Sequence, residues 1–274
     1  MTTNICTRAQ EVQYPDAVLA AEREMAAWIA AHNGVPGVEV HADSDATWMV
    51  HPGVAWANCV VNVRFDERTA GARLDRILRR YRATKRGVGF WISPFATPAE
   101  LTRHLGVRGL RCRKYFPAMF CDLNALSRTV NPVGDITISV LDDHAIFAKH
   151  PHPYFGDIRT KLRRFELSRL DYLNQKSPRR VWDLVAWRDG KPVGACTMFM
   201  HGALVGFHDV GTLQSFRRQG IATSLMRHAC HFAREHGGEA AVLLASGEGY
   251  EMYQRAGFRH AGPISYWYRT FRSV

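Results

Sequence analysis

The fold of this chain is decided by residues 207–238, which read FHDVGTLQSFRRQGIATSLMRHACHFAREHGG. A strand-like run comes first, and an amphipathic helical pattern begins at Ile221, directly after two arginines and a glycine. The N-terminus of a helix exposes unpaired backbone N–H groups and a partial positive charge, so it favours an anion. Gly220 would let a ligand approach the backbone, and Arg217 and Arg218 add permanent charge. The junction predicts an anion site, although an ordinary surface turn remains an alternative when these residues are taken alone.

Hydrophobic periodicity predicts helices and strands interleaved along the whole chain, and hence an α/β protein with a mixed sheet. Each half ends in the order strand, helix, strand, helix, strand. Turn residues at Asn131-Pro132 predict a linker, which divides the chain into domains 1–132 and 133–274. The predicted helices are 15–33, 69–86, 97–107, 155–174, 221–236 and 249–256, and the predicted strands are 38–40, 47–50, 58–65, 87–93, 115–123, 135–141, 180–190, 191–202, 203–213, 240–245 and 264–271.

Composition narrows the class of protein. The 274 residues are 46% hydrophobic and 22% charged, which is ordinary for a globular protein. The formal net charge of +11 is spread evenly over both halves, so it predicts a general affinity for anions and disfavours a nucleic-acid partner, whose binding domains usually cluster their charge. No secretory signal and no apolar stretch long enough to cross a bilayer is visible. We therefore expect a cytoplasmic protein with no membrane partner.

Cysteine and histidine usage does not predict a metal or a disulfide framework. The six cysteines contain no C-x-x-C pair, which favours buried free thiols. His228, Cys230 and His231 lie close together in sequence, but Cys230 points away from the histidines on a helix and no carboxylate completes the set. Motifs typical of serine hydrolases, P-loop kinases and dinucleotide-dependent dehydrogenases do not occur.

Two motifs in the C-terminal half resemble the GCN5-related N-acetyltransferase (GNAT) superfamily. Residues 217–222, RRQGIA, fit the pattern Gln/Arg-x-x-Gly-x-Gly/Ala, and Ala222 departs from the commoner glycine by one methyl group. A strand followed by Tyr253, Gly257 and Phe258 fits the later Tyr-x-x-x-Gly-Phe pattern. The resemblance covers residues 181–268 and implies the GNAT fold with acetyl-CoA, or another acyl-CoA, as co-substrate and no metal.

The same resemblance assigns the co-substrate's contacts. Its thioester would lie between the strand before the anion site and the strand that ends near Ser246. The backbone of that first strand would receive the pantetheine arm at Val210, Gly211 and Thr212. The pyrophosphate would bind the backbone N–H groups of Arg217, Arg218, Gln219, Gly220, Ile221, Ala222 and Thr223.

The implied chemistry is direct attack of a primary amine on the thioester, without a covalent enzyme intermediate. Tyr253 is the implied proton donor to the departing thiolate. The amine must be neutral to attack, so a base is needed, and His208 is a candidate because strand alternation puts it on the same face as Val210. Glu248 and Glu251 compete with His208 for this role.

The N-terminal half resembles a second, degenerate GNAT copy, so the whole chain is expected to be a tandem GNAT with one working site. Asp66 and Glu67 stand where a pyrophosphate loop would be, and they would repel a phosphate. The acceptor is expected to be a small-molecule or peptide amine that meets Phe155, Asp157 or Glu166. Two alternatives are a non-catalytic CoA-binding sensor and an RNA-directed acetyltransferase that uses the basic helix at 73–86. Acceptor identity, acyl length and oligomeric state stay open.

Overall fold

The structure, a computed structural model, describes residues 15–51, 57–127, 133–156 and 161–271. These residues form six α-helices and one mixed sheet of eleven strands. The helices are α1 Pro15–Ala31, α2 Ala70–Thr84, α3 Leu101–Val107, α4 Lys161–Asn174, α5 Ile221–Glu235 and α6 Tyr250–Arg255. The strands are β1 Glu39–Ala42, β2 Thr47–Val50, β3 Cys59–Val61, β4 Val88–Ile92, β5 Arg111–Asp122, β6 Thr137–Leu141, β7 Val181–Arg188, β8 Lys191–His201, β9 Leu204–Thr212, β10 Ala240–Leu244 and β11 Arg259–Arg269.

The two halves of the chain exchange their last strands. The order across the sheet is β1-β2-β3-β4-β11-β5-β10-β9-β8-β7-β6. Strand β5, from the N-terminal half, pairs antiparallel with β10, while β11, from the C-terminal end, inserts between β4 and β5. Parallel pairs occur at β3–β4 and at β9–β10, which are equivalent places in the two halves. The order of elements thus repeats in the two halves, and the last strand of each half completes the sheet of the other.

Alternation along the strands divides the core between the two faces of the sheet. Val60 packs in the cluster under α2, whereas its neighbours Cys59 and Val61 face the cluster under α1. In β10, Leu243 packs in the cluster under α5, and Val242 packs in the cluster under α1. Helix α1 therefore crosses the middle of one face, where it contacts strands from both halves.

Most of the predicted elements are found, with four qualifications. The predicted helix 155–174 is wrong at Phe155 and Gly156, which belong to a turn closed by the bridge between His152 and Gly156, and α4 is Lys161–Asn174. The predicted strand 58–65 is wrong beyond Val61, because Asn62 adopts a left-handed backbone (φ 52°) that ends β3. The basic helix is α2, but two of its arginines are occupied: Arg73 pairs with Asp43 and Asp45, and Arg80 pairs with Glu39. The linker at Asn131-Pro132 lies outside the described residues, so the domain boundary stays a prediction.

Candidate active site

A gap opens in the sheet where β9 and β10 stop pairing. Their parallel register holds only from Leu204 to Gly206, and β9 then continues to Thr212 beside β8 alone. A β-bulge interrupts the β8–β9 ladder between the pairs formed by His208 and Gly211, and inside it Asp209 has a left-handed backbone (φ 51°). Such bulges redirect side chains, and non-glycine residues in this conformation often mark functional sites.

The loop after β9 has a backbone suited to an anion. Arg218 (φ 64°) and Gly220 (φ 79°) are both left-handed, and Gly220 is the residue from which α5 begins. Alternating left-handed residues direct successive N–H groups toward a common concavity. The first N–H groups of a helix have no acceptor within it. Residues 217–220 are exposed, and Arg188, which pairs with Asp135 over 2.9 Å, donates to the Gln219 side chain over 2.7 Å and brings its guanidinium beside the loop.

A cavity of about 630 Å³ lies on the α1 face of the sheet, at the gap between β9 and β10. The C-terminal half lines it from four places: the bulge of β9, the end of β10 with Ser246, the segments before and within α4, and Tyr253 of α6. The N-terminal half contributes α1 and the facing ends of β2–β5. Its lining residues from the N-terminal half are Ala21, Glu24, Met25, Trp28, Ile29, Met49, Cys59, Val61, Trp91 and Phe116.

A histidine–carboxylate pair joins the two halves in this cavity. The Nε2 atom of His208 lies 2.8 Å from Oε1 of Glu24, a buried residue of α1. The His208 ring stacks on the indole of Trp28, with 4.4 Å between centroids and 13° between planes. A carboxylate that accepts Nε2–H fixes the tautomer and leaves the lone pair on Nδ1, so this imidazole is both oriented and able to accept a proton.

A buried arginine, Arg169 of α4, holds the bulge in place. Its guanidinium donates to Asp209 over 2.9 Å and to Glu166 over 3.2 Å. It also lies 3.1 Å from Nε2 of His32, whose Nδ1 donates to the Trp28 carbonyl. Burial, and secondarily the charge of Arg169, lowers the pKa of His32 well below its usual value, so His32 accepts from the arginine as a neutral ring.

Tyr253 lines the same cavity from the helix on the far side of the gap. It is 8% exposed, and burial raises the pKa of its phenol above the usual value, which keeps the hydroxyl protonated. Ser246, which follows β10, also lines the cavity, and its Oγ accepts a hydrogen bond from the Gly249 N–H over 3.3 Å.

A short turn before α4 covers β9. The Nδ1 atom of buried His152 accepts from the N–H groups of Tyr154 and Phe155, over 3.1 and 3.2 Å. Burial lowers the pKa of His152 to about 3, so it accepts these bonds as a neutral ring. A methyl group at Gly211 would lie 2.7–2.9 Å from Pro153 and Tyr154, so the turn depends on glycine there.

The structure brings His208, Val210, Ser246 and Tyr253 to one cavity, although they come from separate stretches of sequence. Gly211 and Thr212 follow Val210 directly and end β9, and the loop from 217 onward comes after the short helical turn Gln214–Phe216. His208 and Val210 both line the cavity, but the regular strand alternation that was predicted for them is wrong. The bulge puts three consecutive residues, 208–210, along the cavity.

The other candidates divide between the cavity and the surface. Phe155 and Glu166 line the cavity, whereas Asp157 lies outside the described residues. Glu248 and Glu251 lie at the surface, beside Arg217 and Arg255 respectively. Ile221 is a core residue, and Ala222 and Thr223 are half-buried in the first turn of α5.

Three polar cavity residues were missed: Glu24, Asp209 and Arg169. Glu24 sits in a helix whose sequence shows only amphipathic periodicity, so nothing local marks its partner 184 residues away. Asp209 carries a weak signal, since aspartate is one of the few residues that tolerates a left-handed backbone. Arg169 belongs to a charged helix with several arginines, and nothing in the sequence marks it as the one that lines the cavity.

Within the described ranges, no group of three or more His, Cys, Asp or Glu side chains is placed to hold a metal ion. None of the described helices combines the length and the apolar character that spanning a membrane requires.

Residues 144–258 match the acetyltransferase (GNAT) family, and the solved structures described next share the GNAT fold with this chain over most of its length. A GCN5-related N-acetyltransferase from Kribbella flavida is 20% identical, with a TM-score of 0.66 over 90% of this chain and 94% of that one. A GCN5-related N-acetyltransferase from Sphaerobacter thermophilus is 16% identical, with a TM-score of 0.61 over 95% and 93%. A tandem GNAT protein from the clavulanic acid biosynthesis pathway is 12% identical, with a TM-score of 0.60 over 94% and 96%. No curated protein matches the sequence significantly.

Proposed function

We propose that this protein transfers an acetyl group from acetyl-CoA to a primary amine, at one site, in the cavity between β9 and β10. The observation that carries the proposal is that a histidine–carboxylate pair and a protonated tyrosine line one cavity on opposite sides of the gap. GNAT proteins use acetyl-CoA, and the match to that family covers both motifs. The proposal also divides the chain at residues 132 and 133, with the working site in the C-terminal domain.

The residues present fit acetyl-CoA. The left-handed residues Arg218 and Gly220 and the start of α5 form a concave set of N–H donors for a pyrophosphate, with Arg217 and Arg188 nearby. Beyond Gly206, the edge of β9 that faces β10 has no strand partner within the described sheet, so its backbone groups are available to a pantetheine amide. The thioester of the bound co-substrate supplies the electrophilic carbon.

In this proposal His208 accepts the proton of the acceptor ammonium at Nδ1, while Glu24 holds Nε2–H and stabilises the imidazolium. The carboxylate acts through the histidine and is a positioning residue. The neutral amine then forms the new C–N bond, and the C–S bond breaks as Tyr253 donates its hydroxyl proton to the departing sulfur. The second proton of the attacking nitrogen then returns to the Tyr253 oxygen, so that the products are the amide and the free CoA thiol. The apolar wall of the cavity excludes water, which strengthens these interactions and suppresses hydrolysis of the thioester.

Calorimetric titration of acetyl-CoA into the wild type and into Gly220→Glu tests the co-substrate site. A side chain at Gly220 would contact Val133 at 3.5 Å or more, and the left-handed backbone (φ 79°) adds a strain that the control below shares. The variant should therefore fold, while its charge opposes the pyrophosphate. Gly237→Glu is the matched control, because Gly237 is also left-handed (φ 89°) and open, at the other end of α5. We expect one site in the wild type and in Gly237→Glu, and loss of binding in Gly220→Glu. Absence of wild-type binding would contradict the proposal.

Turnover separates the proposal from the two alternatives. A CoA-binding sensor would bind acetyl-CoA at the same loop but release no free CoA with any amine. An RNA-directed enzyme would bind RNA with strong salt dependence through α2, and the internal ion pairs of Arg73 and Arg80 count against that use of the helix.

A further inference from the structure

The cavity has two chemically different ends. At the β9 end the charged groups are three carboxylates, those of Glu24, Glu166 and Asp209, and one permanent cation, Arg169. Both Glu166 and Asp209 accept from Arg169, so the arginine is already engaged by two anions. Among the described lining residues, the carboxylates therefore exceed the permanent cations. This end suits an ammonium group and disfavours a second negative charge on the acceptor.

The other end is a hydrocarbon wall from the N-terminal half of the chain. Met49, Cys59 and Val61 reach it from β2 and β3, each less than 8% exposed, and Trp91 and Phe116 reach it from β4 and β5. Burial raises the pKa of the Cys59 thiol to about 12, so it is uncharged. Polar groups of a ligand placed here would lose water without gaining partners, at a cost that apolar groups do not incur.

From this division we infer that the acceptor is a monocationic amine on an apolar alkyl or aryl body, without a carboxylate and without many hydroxyl groups. The ammonium lies at His208 and Glu24, and the hydrocarbon lies against Val61, Met49 and Trp91. The inference rests on the proposed function and specifies its substrate class. It also gives the degenerate N-terminal half a role, which is to supply the specificity wall of a site whose chemistry belongs to the other half.

The test uses the full chain with acetyl-CoA and follows release of the CoA thiol. The acceptors are n-butylamine, n-pentylamine, n-hexylamine, 2-phenylethylamine and glucosamine. Burial of one methylene is worth about a fourfold change, so we expect kcat/KM to rise about 15-fold from butylamine to hexylamine. Phenylethylamine should be a good acceptor and glucosamine a poor one. A flat alkyl series, or a preference for glucosamine, would overturn the inference.

A matched pair of variants tests whether the acceptor contacts the apolar wall from the N-terminal half. Val61→Thr adds one hydroxyl to the cavity at nearly constant volume, and Val60→Thr adds the same group to the neighbouring residue, which faces α2. We expect kcat/KM for hexylamine to fall about 2- to 30-fold in Val61→Thr, and the rise of kcat/KM from butylamine to hexylamine to become smaller. In Val60→Thr, kcat/KM for hexylamine should stay near the wild-type value. Equal effects of the two variants would contradict the assignment of this wall.

Direct binding keeps this inference separate from the acetyl-transfer proposal. The same amines are titrated by calorimetry without co-substrate. Affinity that rises along the alkyl series, without turnover, would support the acceptor pocket and refute acetyl transfer. Turnover of polar amines alone would refute the acceptor class and leave acetyl transfer standing. If no amine binds or reacts, both proposals are wrong.

Discussion

Gly206 in β9 lies against Glu24, the carboxylate that holds the proposed base His208. The Glu24 side chain lies directly over Gly206, and a methyl group there would overlap its carboxylate and its Cγ atom. The backbone of Gly206 is ordinary extended strand, so Gly206→Ala should leave the ladder intact and displace the flexible end of Glu24. Loss of a buried hydrogen bond to a charged group is worth about 1.5–3 kcal/mol. We therefore expect kcat/KM for the amine to fall about 10- to 150-fold.

The assay compares acetyl transfer, acetyl-CoA affinity and thermal unfolding in Gly206→Ala and Gly262→Ala. Gly262 in β11 lies under the same helix, and a methyl group there would meet Val18 of α1 at 2.7 Å, so it perturbs the packing of α1 without touching Glu24. Only Gly206→Ala should lose activity, and both variants should bind acetyl-CoA as the wild type does. If folded Gly206→Ala keeps full activity, Glu24 does not position His208 and the mechanism proposed here is wrong.

Three further predictions concern other parts of the molecule. Tyr253→Phe should lower kcat about 100-fold with unchanged acetyl-CoA affinity in titrations, and an unchanged kcat would remove Tyr253 from proton donation. The depressed pKa of His152, about 3, means that its stabilising contribution is complete above pH 6.5 and is lost as the pH falls toward 3. Urea unfolding should therefore show a loss of about 2 kcal/mol between pH 7 and pH 5 from this group, which is absent in His152→Asn. The two halves, residues 1–132 and 133–274, should each be poorly soluble when expressed separately and should form a folded complex when coexpressed. The reason is that β11 completes the N-terminal part of the sheet and β5 completes the C-terminal part. Two soluble, independently folded halves would contradict that interdependence.

The sequence predicts the secondary structure around the C-terminal candidate site well because its signals are local. The turn to a helix at Gly220 and the tyrosine helix at 253 depend on short-range backbone conformation, and each has a motif of fixed spacing. Their secondary structure is found within one or two residues of the expected positions.

The features that escaped prediction depend on partners far away in the chain. The sequence predicts that β5 and β11 are strands. The alternation of apolar and polar residues is the same whichever strand pairs with them, so the sequence does not reveal the exchange of these two strands between the halves. Glu24 is another such case, since a carboxylate on a helix is normally solvated and only the tertiary fold buries it against His208. The left-handed residues Asn62 and Asp209 also break the regular periods on which strand and face predictions rest.

The strand exchange has a consequence for the order of events during synthesis. Strand β4 acquires its neighbour β11 only when Arg269 has left the ribosome, 177 residues after Ile92. At roughly 5–20 residues per second, the nascent chain carries an unpaired strand edge for roughly 9 to 35 s. The N-terminal half thus cannot finish folding before β11 is made. A chain that stops short of β11 leaves the edge of β4 unpaired, where chaperones and proteases can bind it. The pairing of β4, from the N-terminal half, therefore depends on a strand that is synthesised much later in the chain.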